Sequence, residues 1–210
     1  MEPFTPLDAV AVPIARPNCD TDQILPARYL QKPRTANFGE FLFRDLRYRA
    51  DGSEEPGFVL NQAAFRQARI VVGMRNFACG SSREHAVWAL YDYGVRVVIA
   101  PSFGDIFASN AVKNGLLPVV LPPPVVEGIL ERLQAAPGSR IAVDLETQTV
   151  GGPDGTTHGF SIDPFPKHCL LNGLDELAYT LSLAEQITDF ERRYERESPY
   201  VSLGTASSGQ

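Results

Sequence analysis

RIVVGMRNFACGSSREHAVWALYDYGVRVVIAPSFGDIFASNAVKNGLLPVVL, residues 69–121, is the stretch that decides the fold. It opens with RIVVG (Arg69–Gly73), a short β-branched run of the kind found in buried strands. VRVVIA (Val95–Ala100) and LLPVVL (Leu116–Leu121) are two more. Between the first two, Ser82–Tyr93 has a helical pattern and Gly94 ends it. Ala86, Val87 and Leu90 form one stripe of that helix and Trp88 and Tyr91 another, so it is covered on two sides. Between the last two strands, Phe103, Ile106, Phe107, Asn110 and Ala111 fall on one helix face. Ser102 and Asp105 read as a capping pair and Gly115 as the stop. Strand–helix–strand–helix–strand requires a parallel sheet with right-handed crossovers.

Working outward, LDAVAVPI (Leu7–Ile14) alternates as a strand does. PNCDTDQILP (Pro17–Pro26) reads as a polar loop running into a short helix at ARYL, NFGEFLFRDLRY as partly helical and RADGSEEPG (Arg49–Gly57) as a surface loop. Downstream, LPPPVVEGILERLQAAPG begins on prolines and carries Val126, Ile129, Leu130 and Leu133 on one helix face. RIAVDLETQTVGGPDGTTHGFSID reads as a hairpin of two strands around the turn at Gly151–Gly155. KHCLLNG and DELAYTLSLAEQITDFERRYER read as helices. We expect one domain over residues 1–197 and a disordered, small and polar tail over residues 198–210.

The chain has 210 residues, 44% of them hydrophobic and 21% charged, with a net charge of −6, which suits one globular fold. No Lys/Arg-rich run is present, which argues against nucleic acid or an anionic membrane surface as partner. No stretch approaches a membrane span, and the N-terminus lacks the marks of a secretory or transit signal. Cys19, Cys79 and Cys169 are scattered, no CxxC occurs, and His85, His158 and His168 complete no metal spacing. The expectation is free thiols in a reducing cytoplasm and no metal held by this chain.

The chemistry is concentrated at Gly80–His85. Ser81 and Glu84 fit a capping box, Gly80 permits a turn that other residues resist, and a helix start offers N–H groups to an anion. GxxxxGK[ST] and GxGxxG are both absent, so a nucleotide is not indicated. Arg83 is the anomaly, because a cation in the first turn is disfavoured by roughly 0.3–1 kcal/mol. Two readings explain it: a salt bridge to Asp20 or Asp22, or a bidentate clamp on a substrate carboxylate.

NFACGSSREHAVWAL (Asn76–Leu90) resembles the signature of the aconitase-type swivelling domain, and more narrowly that of the small subunit of bacterial 3-isopropylmalate dehydratase. NCDTDQILPARYLQK, VVIAPSFGDIFASNAVKNGLLPV and KHCLLNGLDELAYTL are similar to further segments of that family, so the likeness covers most of the chain to about Thr180. Ala78 stands where the family has glycine and Val87 where it has proline.

The resemblance implies an α/β fold of the swivelling β/β/α type, with a largely parallel central sheet and flanking helices. It implies the interconversion of 2- and 3-isopropylmalate through the dehydrated intermediate, in leucine biosynthesis. It makes Ser81 the base, acting as an alkoxide, with Ser82 and Arg83 holding a substrate carboxylate, and Leu30 either facing the substrate's variable group or simply packing. Asp20, Thr21 and Asp22 either line the site and orient Arg83 or form a turn of their own. His85 reads as a hydrogen-bonding neighbour rather than an acid. Cys79, His168 and Cys169 read as structural. The resemblance also implies a larger partner chain, the large subunit, which carries a [4Fe–4S] cluster and completes a heterodimer. The alternative within the enzyme class is a related hydro-lyase acting on homoaconitate, methylmalate or dimethylmalate, and Arg28, Lys32 and Arg34 keep a third substrate carboxylate open. A non-catalytic anion-binding module is the reading from another class.

Overall fold

The structure is a computed structural model that describes residues 1–81 and 83–198. Ser82, and the expected tail from residue 199 on, lie outside the described residues. The chain divides into two compact units, Met1–Leu174 and Asp175–Gln210.

In chain order the first unit comprises β1 (Leu7–Ile14), α1 (Thr21–Ile24), α2 (Arg44–Arg47), β2 (Ile70–Gly73), α3 (Glu84–Tyr93), β3 (Val97–Ala100), α4 (Asp105–Lys113) and β4 (Leu117–Val120). It continues with α5 (Pro123–Ala135), β5 (Arg140–Asp144), β6 (Thr149–Gly151), β7 (Thr157–Gly159) and α6 (Pro164–Asn172). The seven strands line up as β4-β3-β2-β1-β5-β6-β7. β1 to β4 pair in parallel, as the strand–helix alternation requires. β5 joins the far side of β1 antiparallel, and β6 and β7 extend that half.

Strand alternation divides the core into two layers. On one face Val12, Ile14, Val71 and Val98 pack with Ala86, Val87 and Leu90 of α3, Phe107 and Ala111 of α4, and Phe38, Phe43 and Phe65 from the long β1–β2 connection. On the other, Ala11, Ile70, Val72, Val97 and Ile99 pack with Val126, Ile129, Leu130 and Leu133 of α5 and with Leu170 of α6. The four α5 positions are those the helical period selects. Pro123 and Pro124 open α5, where the missing N–H groups have no intrahelical partner.

Four local expectations are corrected. The segment after Ser139 is a three-stranded meander, not a two-stranded hairpin. Its additional turn is held by Asp144, whose carboxylate accepts from Thr147 N–H, and by Gln148 at φ 55°. The DTDQI segment forms α1 rather than continuous loop, with Asp20 accepting from Gln23 N–H at 2.7 Å as its cap. Ser102 and Asp105 do not cap α4: Gly104 is its N-cap, and no side chain caps there. Ile106 is not buried with Phe107 and Ala111 but stands 50% exposed, because it lines an open cleft instead of packing into the core.

The second unit holds α7 (Glu176–Ser182), capped by Asp175, and α8 (Ala184–Glu197). α8 carries Ile187, Phe190 and Tyr194 at helical spacing, all exposed, with the Phe190 and Tyr194 rings stacked at 5.8 Å. Among the described residues no helix is long and apolar enough to cross a membrane.

Candidate active site

The carboxyl ends of parallel strands are where α/β sheets leave room for ligands, and three connections meet there. The loop after β1 bridges to the loop after β2 at Asp20 and Cys79, and the latter bridges to the loop after β3 at Phe77 and Phe103. The middle loop has an unusual backbone. Asn76, Ala78 and Gly80 have φ of 58°, 56° and 91°. A side chain in that region costs about 1–2 kcal/mol, so Ala78 carries strain that the family's glycine would not. The loop is held by its neighbours. Ser102 Oγ accepts from Asn76 N–H at 2.8 Å, and Ser102 O accepts from Phe77 N–H at 3.0 Å. Gly104 lies so close that a Cβ there would sit 2.6 Å from Ala78 O.

The helix begins later than the sequence suggests. Arg83, with φ −130° and ψ 102°, is the N-cap of α3 and makes no side-chain cap bond, and the helix begins at Glu84. The expected Ser81–Glu84 capping box therefore does not form. Glu84 is taken by Asn114, whose Nδ2 donates to its Oε1 at 2.8 Å while Asn114 Oδ1 accepts from Trp88 Nε1. Glu84, the first-turn residue expected to close the helix start, thus serves the α3–α4 contact.

In this stretch alternate residues meet the DTD segment. Cys79 O accepts from Thr21 N–H at 2.9 Å, and Ser81 O accepts from Thr21 Oγ1 at 2.9 Å. Arg83 Nη1 donates to Asp22 Oδ1. The His85 ring hydrogen-bonds the backbone of Leu30. Thr21 is buried, Arg83 retains 14% side-chain exposure, and Asp22 is 55% exposed. Residues 79, 81 and 83 are thus tied in order to Thr21 and Asp22.

All of the sequence-selected residues but Ser82 have a place among the described residues. Ser81 is exposed in an open cleft that Arg83, Thr21, Gly80, Asp105 and Ile106 also line. Asp22, not Asp20, is Arg83's partner, because the Asp20 carboxylate is occupied at the α1 cap. The hydrogen bond from Arg83 holds the Asp22 carboxyl below the usual carboxylate range, and a bond from Ala27 N–H adds to it. His85 lies against Phe38 and Trp88, with ring centroids at 5.6 and 4.4 Å. Burial pushes its pKa down from the ordinary value of 6.5, which favours the neutral ring. A neutral, packed imidazole suits the hydrogen-bonding role and not that of an acid. Leu30 is partly buried against the core. Ser82 lies outside the described residues. Asp105 and Ile106 line the cleft although the sequence analysis did not select them, and an apolar residue in the first turn of a helix that starts at a strand's carboxyl end was the available signal.

The cations that kept a third carboxylate open are largely spoken for. Arg28 pairs with Asp45. Arg34 forks onto Asp92 at 3.0 and 3.1 Å and lies 5.0 Å from the Trp88 ring centroid. Nor do the cysteines fit a cluster. Burial pushes the Cys19 thiol up to about 12, which disfavours the thiolate a metal needs. Cys169 is buried on α6, and among the described residues no group of three or more His, Cys, Asp or Glu converges on a metal position.

The chain is similar to known proteins over nearly its whole length. The profile described as aconitase C-terminal domain matches residues 1–124, and one described as LeuD_N matches residues 127–164. A 3-isopropylmalate dehydratase small subunit from Rhodospirillum rubrum is 47% identical over 206 residues, covering 98% of this chain and 100% of the relative. One from Cereibacter sphaeroides is 49% identical over 201 residues, covering 96% of this chain and 100% of the relative. Among solved structures, a 3-isopropylmalate dehydratase from Methanocaldococcus jannaschii superposes with a TM-score of 0.64 at 23% identity, over 89% of this chain and 99% of that one. At that identity it supports the mixed α/β fold alone.

Proposed function

Since the chain belongs to the family of 3-isopropylmalate dehydratase small subunits within the aconitase C-terminal domain group, we propose that it supplies the proton-abstracting half of a two-chain hydro-lyase that interconverts 2- and 3-isopropylmalate. The reaction belongs to leucine biosynthesis, and the free thiols of the chain suit a reducing cytoplasm. One observation carries the assignment of residues: Ser81 and Arg83 stand two residues apart and line the same open cleft.

The reaction removes a proton from a carbon beside a carboxylate, then expels hydroxide from the neighbouring carbon. The first step needs a strong base and fixed positive charge where the carboxylate gains electron density. Ser81 is the base. A free serine hydroxyl is far too weak an acid to be deprotonated at pH 7. The start of the ten-residue helix α3 and the Arg83 guanidinium supply positive potential that favours the alkoxide. Arg83, with Ser82, holds the substrate carboxylate, which fixes the acidic C–H bond relative to Ser81 Oγ.

Leu30, held to the start of α3 through His85, faces the variable group. With Arg28 and Arg34 engaged inside the chain and Lys32 the remaining cation of the three, a branched alkyl group fits that loop better than a third carboxylate. This favours isopropylmalate over the tricarboxylate-type substrates. The residues of this chain do not suit a metal cluster, so a [4Fe–4S] cluster of the large-subunit partner would supply the Lewis acid that the departing hydroxide needs. The site is then completed at the interface of a heterodimer.

The test is Ser81→Ala in the assembled enzyme. Loss of a general base lowers turnover by about 10²–10⁴-fold while substrate affinity changes far less, because a base acts on the transition state. Turnover within a factor of two of wild type would remove Ser81 from the role.

A further inference from the structure

The Asp20-Thr21-Asp22 run has three carbonyl-rich or hydroxyl side chains in a row, and the structure gives each a different task. Asp20 caps α1. Thr21 holds the carbonyl of Ser81. Asp22 receives Arg83. The last two grip the turn on either side of residue 82, from one short helix whose own geometry is fixed by the first.

We propose that Asp22 is a positioning residue: it anchors the Arg83 guanidinium by Nη1 so that the Nε/Nη2 edge is presented to the substrate carboxylate. This rests on the reading of Arg83 as the carboxylate clamp. A long side chain loses substantial rotamer freedom when it is fixed, and a fork binds a carboxylate well only when both donors already point at it. The contact to Asp22 runs through Nη1 to Oδ1, in contrast to the two-nitrogen fork of Arg34 on Asp92. The side-on edge of Arg83 lies away from that contact. The same pair accounts for a cation at a helix start: Asp22 offsets its unfavourable position next to the α3 dipole.

A decoy role predicts the opposite behaviour. Were Asp22 a stand-in for substrate, removing its charge would free Arg83 and strengthen binding. As a mount, removing it weakens binding.

The experiment is a double-mutant cycle in the assembled two-subunit enzyme, with KM and kcat for 2-isopropylmalate measured for Asp22→Asn, Asp22→Glu, Arg83→Ala and the double variant Asp22→Asn/Arg83→Ala. Asp22→Asn is expected to raise KM about tenfold, as loss of a charge-assisted contact does, and to lower kcat less than Arg83→Ala does, because the Arg83 charge that favours the Ser81 alkoxide is still present. Asp22→Glu keeps the charge and recovers part of the loss. In the Arg83→Ala background Asp22→Asn changes KM by less than about twofold, because it acts through Arg83. A KM that falls in Asp22→Asn, or a tenfold rise that persists in the Arg83→Ala background, overturns the assignment while leaving the clamp standing. An Arg83→Ala enzyme with wild-type KM overturns the clamp and this proposal together.

Discussion

The turn from Asn76 to Arg83 and the helix α5 lie in one unit and are built on opposite terms. α5 is regular: thirteen residues, prolines at its start, and a single apolar stripe in which Val126, Ile129, Leu130 and Leu133 are buried. Its energy comes from burial. The turn has no repeating structure, and it places three residues at positive φ. It exposes Ser81 and leaves the start of α3 without a side-chain cap. Its energy comes from outside, through Ser102, Thr21 and Asp22. The difference is what a reactive surface requires. A base and a carboxylate clamp must be held rigidly yet remain uncovered, so neighbouring loops supply the support that burial supplies elsewhere.

Three substitutions sharpen that contrast, in order of size. Leu133→Ala in α5 removes a fully buried side chain and is expected to cost about 2–5 kcal/mol of stability, read as a lower denaturation midpoint. The kcat per folded enzyme should stay unchanged; a matching fall in kcat would join the two regions functionally. Arg83→Lys reverses the pattern. It keeps the charge and loses the planar fork, so activity of the assembled enzyme should fall about ten- to hundred-fold, the worth of ~1.5–3 kcal/mol for one charge-assisted contact. Its melting temperature should barely move, because the pair with Asp22 is more than half exposed on one side and such pairs contribute little. Melting and activity dropping together would favour a structural salt bridge over a clamp. Ala78→Gly is the smallest effect. It relieves the left-handed strain at φ 56° against the greater entropy of an unfolded glycine, and the balance is a gain of up to about 1 kcal/mol in chemical denaturation. A loss of stability would mean that the Ala78 methyl contributes more by packing than its backbone costs.

The same contrast governs what the sequence revealed. The alternation of strands and helices over residues 69–121 was legible because burial imposes a period, and Gly94 and Gly115 punctuate it. The four buried positions of α5 were legible for the same reason. The pairing of β5 beside β1 was not, because it joins residues some 130 apart by backbone bonds that leave no local pattern. The third strand of the meander was missed because its turn is closed by Asp144 and a left-handed Gln148 rather than by glycine. At the candidate site the residue types were readable and their partners were not. The capping box failed because Asn114, from the far end of α4, claims Glu84. Asp22 and Asp20 were equivalent partners for Arg83 until the start of α1 took Asp20. The periodicity assigned Ile106 to the core, and its place in the first turn of α4 puts it in the cleft instead. Glu84 and the β5 pairing were decided by non-local partners, whereas Asp20 and Asp144 were taken by N–H groups three residues further on.

The central claim is that this chain carries the base and the carboxylate clamp but only half of an active site. The most direct measurement is turnover of 2-isopropylmalate by the purified chain alone and after titration with the iron–sulfur large subunit of the same enzyme. The account predicts no turnover and no bound iron in the single chain, then activity that rises with added large subunit and saturates at one to one. Dehydration of 2-isopropylmalate by the single chain, free of any partner, would contradict it.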